Sequence, residues 1–267
     1  MQNLLLDNIE GGIGDLKYPP KFFRETMPEW KRKKDPFIAR YVHRPISFLF
    51  SSIFVEMGLT PNQVSFLSLI IAFITVALSA STNKIVLIIA FILLNLWSIT
   101  DSADGNMARS LGGKPYGDFI DATSSYFLYG MMFLPLGYSV FKTGGFFVSA
   151  GTPEIIVFGA LAGSLDTMTR LFFQKMKNNA YEIRMSEMKR GIEQEEDITD
   201  RSQSKIGKLQ ARIDGEFTCG GTVQLILLLI CILTGSIDLF ICVYFLYSTM
   251  TFVASIAYLI KKTGCLR

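Results

Sequence analysis

Six apolar stretches, at about 63–80, 85–107, 118–141, 154–174, 221–235 and 238–260, dominate the chain. Each is near the roughly 20 residues that an α-helix needs to cross about 30 Å of hydrocarbon. A backbone in lipid must satisfy its own polar groups, so repeated spans of this kind restrict the chain to a helical bundle. Half of the residues are hydrophobic and 18% are charged, against roughly 25% in soluble domains. The sequence predicts an all-α integral membrane protein, a six-transmembrane-helix bundle. The fifth stretch is the shortest, and Gly235-Ser236-Ile237 forms a tight turn between it and the sixth.

The rest of the chain divides around those spans. Residues 1–61 form a basic arm with a juxtamembrane helix near Phe48–Phe54, 62–260 the membrane domain with a polar insertion at 175–215, and 261–267 a tail. Thr60 before Pro61 reads as an N-cap followed by proline at the first helical position. The insertion suits a solvated helical hairpin or loop, with a cap over the site or a dimer contact as the sharper alternative. Lys31-Arg32-Lys33-Lys34 would suit nucleic acid or an anionic leaflet. Its place just ahead of a membrane segment favours the leaflet, and no nucleic-acid partner is expected.

Basic residues also set the orientation. The arm, the loop after the second stretch, the insertion and the tail hold 23 Lys and Arg between them, against only Lys84 and Lys142 in the opposite loops. That bias predicts both termini and the polar ends of helices two and three on the cytoplasmic side. The membrane would be the plasma membrane in a prokaryote and an endomembrane in a eukaryote. The opening MQNLLLDNIEGG lacks a positive n-region and has only a three-leucine run, so no secretory signal is expected. Cys219, Cys231, Cys242 and Cys265 show no ligand spacing, and no disulfide is expected of cytosol-facing thiols.

Against this apolar background, Asp101, Asp104 and Asp121 flank a short loop between the second and third stretches. Ionisable groups at membrane depth are costly and mark functional sites by default. Asp101 and Asp104 share one helix face. Asp121 and residue 125 share a face of the next helix, with Asp118 one turn nearer the loop. Carboxylates converging in low dielectric need compensation, and an oxygen-only ligand set suits Mg²⁺ or Mn²⁺ shared with substrate phosphates. Gly105 permits close approach of a phosphate, Ala108 leaves room beside it, and Arg109 supplies a fixed cation. A structural Asp–Arg ion-pair network and an ion pathway through a transporter are the competing readings.

The run D-x2-D-G-x2-A-R-x7-G-x3-D, filled by Asp101, Asp104, Gly105, Ala108, Arg109, Gly117 and Asp121, resembles the CDP-alcohol phosphotransferase family. The resemblance extends over roughly residues 38–260. It implies a six-helix bundle, usually a homodimer, with a polar cavity open to the cytoplasm. It also implies transfer of a substituted phosphate from a CDP-linked alcohol to an acceptor hydroxyl with release of CMP, in phospholipid or related glycolipid synthesis. Position by position, Asp101, Asp104 and Asp121 would hold the metal, and Asp101, Gly105, Ala108, Arg109 and Gly117 would line the CDP pocket.

One position departs from the pattern: Ser125 stands where the family has a fourth aspartate, read there as metal ligand and general base. Three readings follow. Asp118 serves as substitute base, or the chain is catalytically impaired, or residue 125 is a substrate-trapping substitution. The alcohol is not specified, since the family uses CDP-diacylglycerol with polar acceptors, small CDP-alcohols with lipid acceptors, or polar partners on both sides. The stretch DPFIARYVHRPIS, with Arg40 and Arg44, favours CDP-linked polar head groups. Arg170, four residues after Asp166, is expected to pair with it rather than bind an acceptor phosphate. His43 is expected to be an interfacial side chain rather than a ligand.

Overall fold

A computed structural model of the chain describes residues 16–113, 115–189, 215–217 and 220–263. Short helices α1 (Pro20–Glu25) and α2 (Glu29–Lys34) lead through a π-helical turn at Ala39–His43 into α3 (Arg44–Glu56). The longer helices follow: α4 (Pro61–Leu78), α5 (Lys84–Leu111), α6 (Gly117–Met131), α7 (Phe133–Thr143), α8 (Glu154–Lys189), α9 (Thr222–Thr234) and α10 (Ile237–Thr263). No strand occurs among the described residues.

Sequence chemistry sets the helix ends. Thr60 caps α4 as expected, its side chain and that of Gln63 forming a reciprocal capping box with Pro61 at the first helical position. Gly235, at φ 74°, closes α9 in the left-handed conformation, and the Ser236 N–H returns to the Cys231 carbonyl. Helix α5 runs on to Leu111, past the expected end near 107, so Ala108 and Arg109 lie on the helix rather than in the loop. Helix α8 likewise carries on through 175–189, and residues 190–214 of the expected insertion lie outside the described residues.

Among the described residues, five stretches are long and apolar enough to cross a membrane: α4, α5, most of α8, the stretch that closes with α9, and α10. The third apolar stretch is instead realised as two helices, α6 and α7, parted at Met132. Pro135 explains the break, because it has no N–H for the Met131 carbonyl and its ring crowds the preceding turn.

Two cores hold the bundle. The larger centres on Trp97, Tyr129, Phe133, Leu225, Phe240 and Tyr244 and joins α5, α6, α7, α9 and α10. Helix α8 lies close against α6 and α7: a Cβ on Gly163 or Gly159 would strike the carbonyls of Gly130 and Phe133. Small residues spaced by four in this way let membrane helices approach where lipid provides no hydrophobic drive. The smaller core packs Phe23 and Met27 of the arm with Phe48 and Phe54 of α3 against Val64, Ala103 and Met107. It docks the basic arm onto the end of α5 that carries Asp101, Asp104 and Arg109.

On the loop between α7 and α8, buried Asp238 accepts the N–H groups of Phe146, Phe147 and Val148 at 2.9, 2.6 and 3.1 Å. Its place in the first turn of α10 favours the negative charge. Cys231 and Cys242 are free thiols, and Cys219 and Cys265 lie outside the described residues.

Candidate active site at the α4–α5–α6 junction

Polar side chains inside apolar helices must find one another, and those of α4, α5 and α6 do. Ser65 on α4 donates to Asp104 Oδ2 on α5, and Asp104 is only 4% exposed. Ser124 on α6 accepts from Trp97 Nε1 at 2.7 Å and lies 3.3 Å from Ser68 Oγ, locking the three helices beneath the acids. Asn106 donates to Ser47 of α3 at 3.0 Å and accepts from Arg109 Nη2 at 2.9 Å. The Arg109 guanidinium lies over Gly105, where a Cβ would come within 3.0 Å of Nη1. Gly105 thus makes room for a cation on the helix surface.

The expected acids converge only in part. Asp101 and Asp121 face each other across α5 and α6 within hydrogen-bonding reach, while Asp104 is drawn to Ser65. Among the described residues, no three or more His, Cys, Asp or Glu side chains are gathered tightly enough to hold a metal ion. Asp101 Oδ1 is nevertheless buried without a hydrogen-bond partner. A buried carboxylate oxygen with no donor, beside two further acids, has the hard-oxygen chemistry that a divalent cation would satisfy. The chemistry of these donors, though not their present spacing, is that of a hard divalent-cation site.

The remaining expected residues are placed as follows. Ala108 is half-buried on the last turns of α5. Gly117 opens α6, and Asn62 explains its lack of a side chain: Asn62 Oδ1 would stand 3.2 Å from a Cβ there, while Asn62 Nδ2 donates to the Pro115 carbonyl. Asp118 lies in the first turn of α6, with its side chain outside the described set. Ser125 is half-buried one turn beyond Asp121.

Two expectations about single residues meet different outcomes. Arg170 Nε donates to Asp166 Oδ2 at 2.7 Å, the expected pair, and its guanidinium also lies 5.0 Å from the Tyr129 ring centre. His43 is not interfacial: it is 1% exposed, with Nε2 3.0 Å from Asn95 Oδ1 and Nδ1 3.0 Å from Ser98 Oγ. Both partners project from α5, so the π-helical turn carries His43 inward. Burial pushes its pKa down, the Asn95 bond opposing in part and the Arg44 charge adding to the shift.

Sequence reasoning missed Ser65, Asn106 and Lys31. The first two are polar residues inside apolar stretches, a signal open to the same argument as the aspartates. Lys31 is one of a basic run, and nothing in the run marks it as half-buried. Burial pushes its ammonium pKa down, the charges of Arg44 and Arg109 adding to the shift and those of Asp35 and Asp101 opposing it.

Comparison with known proteins bears on this geometry. Residues 58–181 match the family described as CDP-alcohol phosphatidyltransferase. The match is a little under half of the chain and takes in α4, α5 and α6 with Asp101, Asp104, Asp118 and Asp121. The chain is also similar to the bifunctional IPC transferase and DIPP synthase of Thermococcus kodakarensis, at 33% identity over 106 residues. That stretch covers 39% of this chain and 23% of the relative, so the relative is much the longer protein.

Proposed function

We infer that the chain is a CDP-alcohol phosphotransferase, a membrane enzyme that moves a substituted phosphate from a CDP-linked alcohol to an acceptor hydroxyl and releases CMP. The observation that carries this reading is Asp101 on α5 facing Asp121 on α6, with Asp104 one turn along α5 and the Arg109 guanidinium over Gly105. The match of residues 58–181 supports the same class. The fuller architecture belongs to this proposal too: six spans, with α6 and α7 together making the third, a homodimer, and the acids facing the cytoplasm with both termini.

Asp101, Asp104 and Asp121 would hold Mg²⁺ or Mn²⁺, which when bound neutralises charge developing on the phosphate oxygens. Arg109 binds a phosphate of the CDP group, and Gly105, Ala108 and Gly117 leave the α5–α6 turn open to the nucleotide. Ser65 orients Asp104, fixing the carboxylate that the site needs. The acceptor oxygen attacks the phosphorus bearing the alcohol, the bond to the CMP oxygen breaks, and the acceptor proton must go to a base. Ser125 can share a hydrogen bond but does not take up that proton. Asp118, on the same α6 face, takes it instead.

The test is CMP release by purified protein with Mg²⁺ or Mn²⁺ and a panel of CDP-alcohols and hydroxyl acceptors. CMP appearing with one donor–acceptor pair supports the reading. Substrate flux across sealed vesicles with no CMP from any pair would sink it and favour transport.

A further inference from the structure

Beside the acids, the basic arm encloses a second feature that the transfer reading leaves unused. A cavity of about 230 Å³ lies between α1, α2 and the start of α3, lined by Arg24, Arg32, Arg40 and Arg44 with Asp35 and Phe48. Four guanidinium charges meet one carboxylate there. That carboxylate is already engaged: Arg44 Nε and Nη2 donate to Asp35 Oδ2 and Oδ1 at 2.7 and 3.1 Å. Arg44 is only 7% exposed, and its Nη1 is buried with no hydrogen-bond partner. A buried charged donor left unsatisfied is costly, and its natural complement is an anionic oxygen.

Local bonds hold the cavity's shape. Arg32 Nη2 donates to the Arg24 carbonyl at 2.9 Å, and Arg40 Nη2 donates to the Asp35 carbonyl at 3.2 Å. Phe48 belongs to the small core that docks the arm on α5, so the lining arginines are set on a packed base rather than on a free tail. The volume corresponds to about eight waters at roughly 30 Å³ each, enough for a tetrahedral phosphate with a few further atoms. Planar forks with fixed donors match phosphate oxygens better than ammonium groups do.

We propose that this arginine-lined cavity is a binding site for a phosphate group, carried by a soluble phosphomonoester or by an anionic lipid head group, separate from the nucleotide phosphates of the proposed transfer site. The site goes beyond the transfer reading and does not require it. If the phosphate is soluble, the cavity selects a phosphorylated small molecule next to the acids. If it belongs to a lipid, the arm is a leaflet clamp.

The test uses the full chain in detergent, titrated with inorganic phosphate in chloride buffer while thermal unfolding is followed. Wild-type Tm should rise saturably, and Arg24→Gln with Arg32→Gln should weaken the apparent affinity at least ten-fold while leaving the phosphate-free Tm near wild type. Arg44→Lys should also weaken it. Should that variant fail to fold, the double variant decides. A second arm repeats the titration in phosphatidylcholine nanodiscs with and without phosphatidic acid. Loss of the phosphate response with phosphatidic acid assigns the site to lipid, and an unchanged response assigns it to a soluble ligand. An equal response in wild type and double variant, or no response to phosphate in detergent and none to phosphatidic acid, overturns the proposal. CMP release is read separately, so failure of the transfer reading leaves this result standing.

Discussion

Ser65 Oγ donates to Asp104 Oδ2, tying α4 to α5 at the depth of the acid cluster. A hydrogen bond to a charged group contributes about 1.5–3 kcal/mol, and here it also aims the carboxylate. Ser65→Ala should therefore raise the Mg²⁺ or Mn²⁺ concentration needed for half-maximal CMP release by about ten-fold, the scale of roughly 1.4 kcal/mol. The thermal midpoint should move little, because α4 and α5 keep their apolar contacts. An unchanged metal titration would mean that Ser65 only fills space.

The acids and Asp238 should separate by readout. Asp104→Asn and Asp121→Asn should abolish metal-dependent CDP binding in a calorimetric titration and leave the fold intact. Asp238→Ala should do the reverse. It removes the buried carboxylate that three loop N–H groups share as acceptor, so the midpoint should fall by several degrees with CDP affinity retained. CDP affinity that is metal-independent and survives both Asp→Asn changes would favour a structural ion-pair role for the acids.

Most of this frame was readable from local chemistry. The Thr60-Pro61 cap, the Gly235 turn and the Asp166–Arg170 pair depend on residues within four positions of each other, and each is found as expected. The convergence of Asp101 with Asp121 was readable because a short loop joins their helices. The arginine cavity was not, since its lining is scattered from Arg24 to Phe48 and only the docking of α1 and α3 brings it together. His43 escaped for a similar reason: a π-helical turn rotates it inward, and its partners lie about fifty residues away. The third span is a case of a signal underused, because Pro135 stood in view inside an apolar run.

Helix α8 should tolerate no side chain at its closest approach. Gly163 lies against the Gly130 carbonyl and Gly159 against that of Phe133, both rigid backbone. Gly163→Leu should force α8 away from α6 and lower the midpoint in detergent far more than a leucine at exposed Ser164. Overpacking of this kind costs about 1–3 kcal/mol or more. Equal midpoints for the two variants would show that the helices part without penalty.

His43 should give the fold an acid limit. Its folded-state pKa lies below the usual 6.5, so the unfolded chain binds the proton more readily. Stability from keeping this ring neutral is thus fully present above about pH 6.5 and is lost as pH falls from there through the folded value. Thermal midpoints measured from pH 7.5 down to 5 should decline in wild type. His43→Gln keeps a polar side chain but cannot charge, so its decline should be shallower. Parallel curves would assign the acid sensitivity to other groups.

The base is the sharpest question, because Ser125 removes a carboxylate from the face that Asp121 and Asp118 share. Metal and CDP should still bind, since Asp101, Asp104 and Asp121 remain, and the lost carboxylate would have repelled them. Proton removal is the exposed step, and general-base catalysis contributes about 10²–10⁴ in rate. If Asp118 takes the proton, Asp118→Asn should lower CMP release by about that range while CDP affinity stays within a few fold. Ser125→Asp should then leave turnover unchanged, or slow it by crowding a further negative charge among the acids. If no base remains in the natural chain, Ser125→Asp should instead raise turnover, and Asp118→Asn should change little. Each substitution has a different outcome under the two mechanisms, so one pair of initial rates at fixed metal and CDP-alcohol decides between them.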